Sequence, residues 1–367
     1  MRTPTWFKQI LPTHQNAAPG KDHFDRIQAS EQFYSYSIGG VIEGLGKFLQ
    51  RTDRARYFDH PVAGPLFTPF FKLAEKSARI FLGNTASPAE LHEFMDDKLG
   101  GIGIFLGISF KWASNLIAML RYRKLAKINP DEKIIQQVSE GYSIRNICYL
   151  AEKISFSLAG GFFAAGHQPA AVVSMLLSQG CALVLAPVTL KANWQVIRDF
   201  AQNPQSLKLA RDASKITGLN LSKGLWAGAT LTKFGSSLIA NPSEDFSPAY
   251  YYDLLVQNSW DLPTTAIIAG GCLMVVPNLL AMALDLSNTV KAPQINGNNG
   301  QIADSTPESK KQRRRYYGLG TVADIFNAIG GAYTASLLWQ PLGALFNGMG
   351  SLFSFLQSRY KTRHHLT

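Results

Sequence analysis

Apolar positions along this chain come in blocks, with the charges between them. The widest block runs from Ile154 to Leu190, 37 consecutive residues without an Asp, Glu, Lys or Arg. Such a run needs either a helix so deeply buried that no face meets water, or a bilayer. The neighbouring blocks argue for the bilayer. Residues 99–120 hold one charge, Lys111, and twenty-two helical residues at about 1.5 Å each reach about 33 Å, enough to cross a hydrocarbon core. Residues 264–284 read as a further span, interrupted only by Pro277. The stretch 224–240 is weakly apolar and carries Lys233, and 319–357 is apolar with a single charge, Asp324.

Breaks in the pattern divide these blocks into hairpins. "GHQPA" at 166–170 ends a helix, so 154–166 and 169–190 read as two arms. The first arm has only 13 residues, so it either extends back through 149–153 or stops mid-membrane as a re-entrant half-helix. "WQPLG" at 339–343 divides 319–357 into a second hairpin. The segment 286–318, rich in Gly, Asn and Ser and closing on the basic run "KKQRRR", reads as a disordered linker.

The N-terminal third is amphipathic. Ile38, Val41, Ile42, Leu45, Phe48 and Leu49 fall on one helical stripe. Phe67, Phe70, Phe71, Ala74, Ala78 and Phe81 share a face, opposite Lys72, Glu75, Lys76 and Arg79. That Phe-rich face suits either the headgroup boundary of a bilayer or packing within its own domain. No run alternates with the period of a strand. The expected class is therefore all-α: a helical membrane protein with hydrophobic hairpins and amphipathic N-terminal helices. Its expected divisions are an N-terminal region 1–98, a membrane region 99–284, a linker 285–318, a C-terminal hairpin 319–357 and a basic tail 358–367.

Composition refines this picture. Apolar residues make up 46% of the 367, and the mean hydropathy of −0.02 is low for a chain lying wholly in a membrane. Sizeable segments must lie outside it. The 36 basic residues against 25 acidic ones flank the apolar blocks and form no aromatic-interleaved basic face, which points to anionic lipid at the basic loops, with no nucleic acid. Seven Lys and Arg lie in 121–153, six in 191–223, six in 291–315 and three in 359–363, whereas 234–290 has none. The positive-inside rule then sets the basic blocks on one side and the loop 241–263, with four acidic residues, on the other. Residues 83–97, with four acids and no Lys or Arg, belong with that loop. Placing them there requires either an irregular crossing by 57–82 or a re-entrant 99–120. The N-terminus has no apolar core of the kind a cleavable signal peptide needs.

Candidate chemistry is sparse. An intramembrane charge is costly enough to count as a functional candidate, so Lys111, Lys233 and Asp324 are the candidate binding residues, with Asp324 free to pair with either lysine. His167, in the break of the first hairpin, is a candidate proton-sensitive gate. Cys148, Cys181 and Cys272 have no metal or redox spacing. No HExxH, GxSxG or phosphate-loop motif occurs, and no cofactor or metal is implied, so a non-enzymatic role is expected. Gly-Gly pairs at 39–40, 100–101, 160–161, 270–271 and 330–331, with the echo of "FKWASNLIA" in "TKFGSSLIA", suggest either internal duplication or close helix packing; packing is the simpler account. Gly-rich faces could equally serve homo-oligomerisation. The leading functional expectation is a multi-pass or hairpin-inserted integral membrane protein that binds, remodels or scaffolds a bilayer. The alternatives are a transporter or channel using the three intramembrane charges, and a soluble helical protein that inserts its hairpins to form a pore.

Overall fold

The computed structural model describes residues 20–51, 53–130, 133–240, 262–291, 307–335 and 340–364, and among these there is helix and no strand. The chain is all-α, as the apolar pattern predicts. Helix α1 covers residues 20–49, running from Gly20–Gln32 through π-helical turns at Phe33–Gly40 into Val41–Leu49. Short α2 (Ala55–Asp59) and longer α3 (Ala63–Leu82) follow. Then come α4 (Pro88–Ile128), α5 (Lys133–Ala165), α6 (Gln168–Ala192), the short α7 (Trp194–Gln202), α8 (Leu207–Ala240), α9 (Leu262–Lys291), α10 (Pro307–Ala335) and α11 (Gln340–Arg363).

Local chemistry sets the helix ends. The Ser87 hydroxyl accepts the Glu90 N–H at 3.3 Å while Glu90 accepts the Ser87 N–H at 2.8 Å, a reciprocal capping box that starts α4. Gly166 takes φ = 80°, a conformation open to a residue without Cβ, and Pro169 enters the first turn of α6, where its missing N–H costs nothing.

Eight long helices, α1, α4, α5, α6, α8, α9, α10 and α11, form an up-and-down ring. Each packs on its neighbours in chain order, and α11 returns to α1. Every neighbouring pair is antiparallel. Gly39 faces Gly107 across α1 and α4, and Gly101 faces Gly160 across α4 and α5. Gly218 meets Leu273 between α8 and α9, and Gly343 meets Gly330 between α10 and α11. The closing seam stacks Phe33 on Phe355 at 4.7 Å, and the Ser37 hydroxyl donates to the Gly348 carbonyl at 2.7 Å. At these crossings a methyl group would lie 2.6 Å from the Gly107 oxygen and 2.8 Å from the Gly160 oxygen, so small residues allow the backbones to approach. All five Gly-Gly pairs contribute a residue to such a crossing.

Four helices, Pro88–Ile128, Arg145–Ala165, Gln168–Ala192 and Thr264–Val290, are long and apolar enough to cross a membrane. The two helices of the last hairpin fall short of that hydropathy, although α11, with 24 residues, is about 36 Å long. The apolar side chains of the spans point outward. Val173, Leu177 and Val184 of α6 are exposed while Ser174, Met175, Ser178 and Ala182 are buried; α9 buries only 13% of its most apolar window.

Several expectations need correction. Residues 57–82 form the separate helices α2 and α3, and 99–120 have no break of the kind a re-entrant turn would need. They lie inside the unbroken helix 88–128, whose antiparallel partner is α1. The first arm of the 154–190 hairpin extends back to Lys133, so it does not stop short. Of the segment read as a disordered linker, 286–291 end α9 and 307–318 begin α10, the basic run included; 292–306 lie outside the described residues. Of "WQPLG", Gln340 already opens α11 and Pro341 sits in its first turn; residue 339 is outside the described residues, as is the acidic loop up to residue 261. The Phe-rich face of α3 packs on protein: Phe67, Ala74 and Ala78 join Phe48, Tyr57, Leu91 and Met95 in a core at one end of the ring. Phe81 alone of the six is turned out, 73% exposed.

Candidate functional site

The ring turns an outwardly apolar surface around a charged interior. On α1, Glu43 and Lys47 are one helical turn apart and pair at 2.6 Å. Lys111 of α4 pairs with the other oxygen of the Glu43 carboxylate. One carboxylate thus holds two ammonium groups. Lys111 also lies over the Tyr36 ring, 5.9 Å from its centroid. The α1–α4 seam continues in polar contacts: the Ser35 and Ser114 hydroxyls meet at 2.6 Å, and the Asn115 amide donates to Glu31 at 2.8 Å.

A second fork of the same kind faces the first. Glu152 of α5 accepts from Lys153 at 2.8 Å and forms an ion pair with Lys223 of α8. Both ammonium groups flank Tyr149, at 5.5 and 5.3 Å from its centroid, a cation–π arrangement. Lys47 sits 5.5 Å from the Phe156 ring on α5, and the charges of Lys111, Lys153 and Glu43 act on one another across the gap between α4 and α5. The glutamate side chains are 9% and 7% exposed, so both forks are nearly dry and their ionic contacts are little screened.

A third polar group lies between α8, α9, α10 and α11. Asp324 feels Asp285, Lys215 and Arg211, and the Gln357 amide donates to Asp285 at 3.4 Å and to the Tyr316 carbonyl at 3.2 Å.

The three residues singled out in sequence are therefore not one site. Lys111 belongs to the first fork. Lys233, 7% exposed near the far end of α8, donates to the Thr264 hydroxyl at 2.6 Å. Asp324 belongs to the third group, and neither lysine is among the charges that act on it. Its expected pairing fails because Lys111 is matched from α1, an element whose membership of the ring the sequence pattern conceals. The residues missed are Glu43, Lys47, Tyr149, Glu152, Lys153 and Lys223. A signal existed: a Glu one turn before a lysine at the edge of an apolar stripe, and a Glu–Lys pair at the border of the uncharged run. His167 forms the α5–α6 turn, where its N–H donates to the Phe162 carbonyl at 2.8 Å. Among the described residues no three His, Cys, Asp or Glu side chains group as metal ligands would. Compared with known proteins, the chain matches no family model, no curated protein and no solved structure.

Proposed function

We propose that this chain is a multi-pass integral membrane protein that provides a solute with a polar site within the bilayer, as a transporter or channel does. The observation that carries this reading is the inverted distribution of its side chains. Exposed Leu, Ile, Val and Phe cover the outside of the spans, while Lys, Glu and Tyr converge inside the ring. Water would disfavour such an exterior, and lipid would disfavour such charges anywhere but the interior. Ion-paired side chains facing the bundle interior are where membrane helices place substrate and ion paths.

The arrangement of the ends supports the same reading. The ring gathers the termini of α1 and α11, the α4–α5 and α6–α8 connections and the starts of the basic α10 at one end. Arg121, Arg123, Lys124, Lys191, Arg198 and the run 310–315 all fall there. At the other end, 50–100 holds seven basic and seven acidic residues. That asymmetry is what the positive-inside rule rewards.

A bilayer-shaping or scaffolding role is favoured by one feature, α3. It lies across the neutral end with Leu66, Leu73, Ile80 and Phe81 exposed, beside a groove of about 330 Å³ walled by Leu45, Leu49, Phe70 and Ile102. Flux separates the two readings. The full chain reconstituted into sealed liposomes should accelerate osmotic swelling in a panel of salts, as read by stopped-flow light scattering, relative to protein-free vesicles. Acceleration by no salt in the panel would contradict the conduit reading and leave the scaffold.

A further inference from the structure

We infer that the two lysine forks together form a binding site for a small dianion, an oxyanion or a dicarboxylate. This deepens the conduit reading and rests on it for the access of the site to solvent. The argument begins with charge. Glu43 is shared by Lys47 and Lys111, and Glu152 by Lys153 and Lys223. Two carboxylates facing four ammonium groups leave two positive charges uncompensated among side chains that are largely withdrawn from solvent, the lysines 15–25% exposed. An excess of buried charge is unfavourable unless a counter-ion joins it. Glu31 also acts on Tyr36 and Tyr149, but Arg145 acts on Glu31 and Tyr36 with the opposite charge, so counting both leaves the excess of two unchanged.

Geometry adds to the count. The forks stand on opposite sides of the α4–α5 gap, close enough for Lys111 and Lys153 to repel one another. A dianion between them would turn that repulsion into two attractions. Tyr36, whose ring lies under Lys111 at the first fork, is 47% exposed, so a solute can reach the ring beside that lysine. Tyr36, beside Lys111, and Tyr149, beside Lys153 and Lys223, bring hydroxyl groups to the two forks, and Lys153 and Glu152 act on both rings. Asn146 shares the α5 face of Tyr149 and Lys153, at positions i, i+3 and i+7. It is 1% exposed, and its Nδ2 amide donor has no hydrogen-bond partner among the described residues. A spare buried donor next to excess positive charge is the provision an anion needs.

Equilibrium binding of radiolabelled sulfate to the purified full chain in detergent micelles tests this. The parent should bind saturably, with sulfate and succinate displacing the tracer and chloride at equal ionic strength failing to do so; the relative strength of the first two tells oxyanion from dicarboxylate. Lys153→Gln and Lys223→Gln should each weaken binding at least about tenfold, the loss of one close charge. Lys223→Arg should keep it, and Lys311→Gln on the basic surface should leave it unchanged. Absence of saturable binding, equal displacement by chloride, or unaltered binding in both Gln variants would each overturn the inference. If the Gln variants lose a monodisperse elution profile, the displacement series on the parent decides alone. Flux without sulfate binding would overturn the anion assignment and spare the conduit; binding without flux would do the reverse.

Discussion

Glu43 holds Lys47 and Lys111 at once, and this sharing makes its removal costlier than that of either lysine. Lys111→Met leaves Glu43 with one partner. Glu43→Gln leaves two neighbouring ammonium groups without a counter-charge, at side-chain exposures of only 15% and 21%. Breaking a buried pair so that a charge is stranded costs about 3–5 kcal/mol. Glu43→Gln should therefore destabilise by that order and Lys111→Met by clearly less, as read from unfolding titrations in mixed micelles. Equal, negligible effects would mean that water reaches the fork. At this scale the sequence was legible in part. Lys111 stood out because its whole neighbourhood is apolar. Glu43 and Glu152 did not, because a charge beside glycine or next to a lysine reads as a solvated position until the facing helix is known.

Among the helices, those with apolar outer faces were the easiest to read. Residues 169–190 and 264–284 are apolar on nearly every side, since both their outward and their packing faces want uncharged residues, and α6 and α9 appear where the pattern sets them. Helix α1 was hidden for the opposite reason. Its polar residues point into the ring, Gly39 and Gly46 face α4 and Gly44 faces α11, so its apolar stripe is too narrow to stand out as an apolar block. The start of α10 was hidden by composition, because Pro, Ser, Lys and Gln in succession read as coil although they form a basic helix. An outward position on α6 provides the test at this scale. Leu177 is 58% exposed. Leu177→Arg should cost about 2.5–3.5 kcal/mol in a translocon insertion assay, whereas Asn203→Arg, on the α7–α8 connection, should insert like the parent. Insertion of Leu177→Arg at the parental level would mean that this face of α6 does not meet lipid.

For the molecule as a whole, the eight long antiparallel helices among the described residues, closed into a ring, bring the start of α1 and the end of α11 to one side. They also separate 50–100, 166–167 and the flanks of 241–261 from every basic connection. The Lys and Arg distribution already implied that separation for most of the chain; the N-terminal third resisted because α1, which joins the ring, was read as part of an amphipathic N-terminal region. Sidedness in a sealed membrane is therefore the most direct test. In a variant with Cys148, Cys181 and Cys272 replaced by Ser, single cysteines at Asn84 and Asn203, both exposed at opposite ends of the ring, are offered a membrane-impermeant maleimide in sealed, uniformly oriented vesicles that resist carbonate extraction. One site should label from outside and the other only after permeabilisation. Labelling of both from the same side, or release of the chain by carbonate, would contradict the membrane-spanning ring.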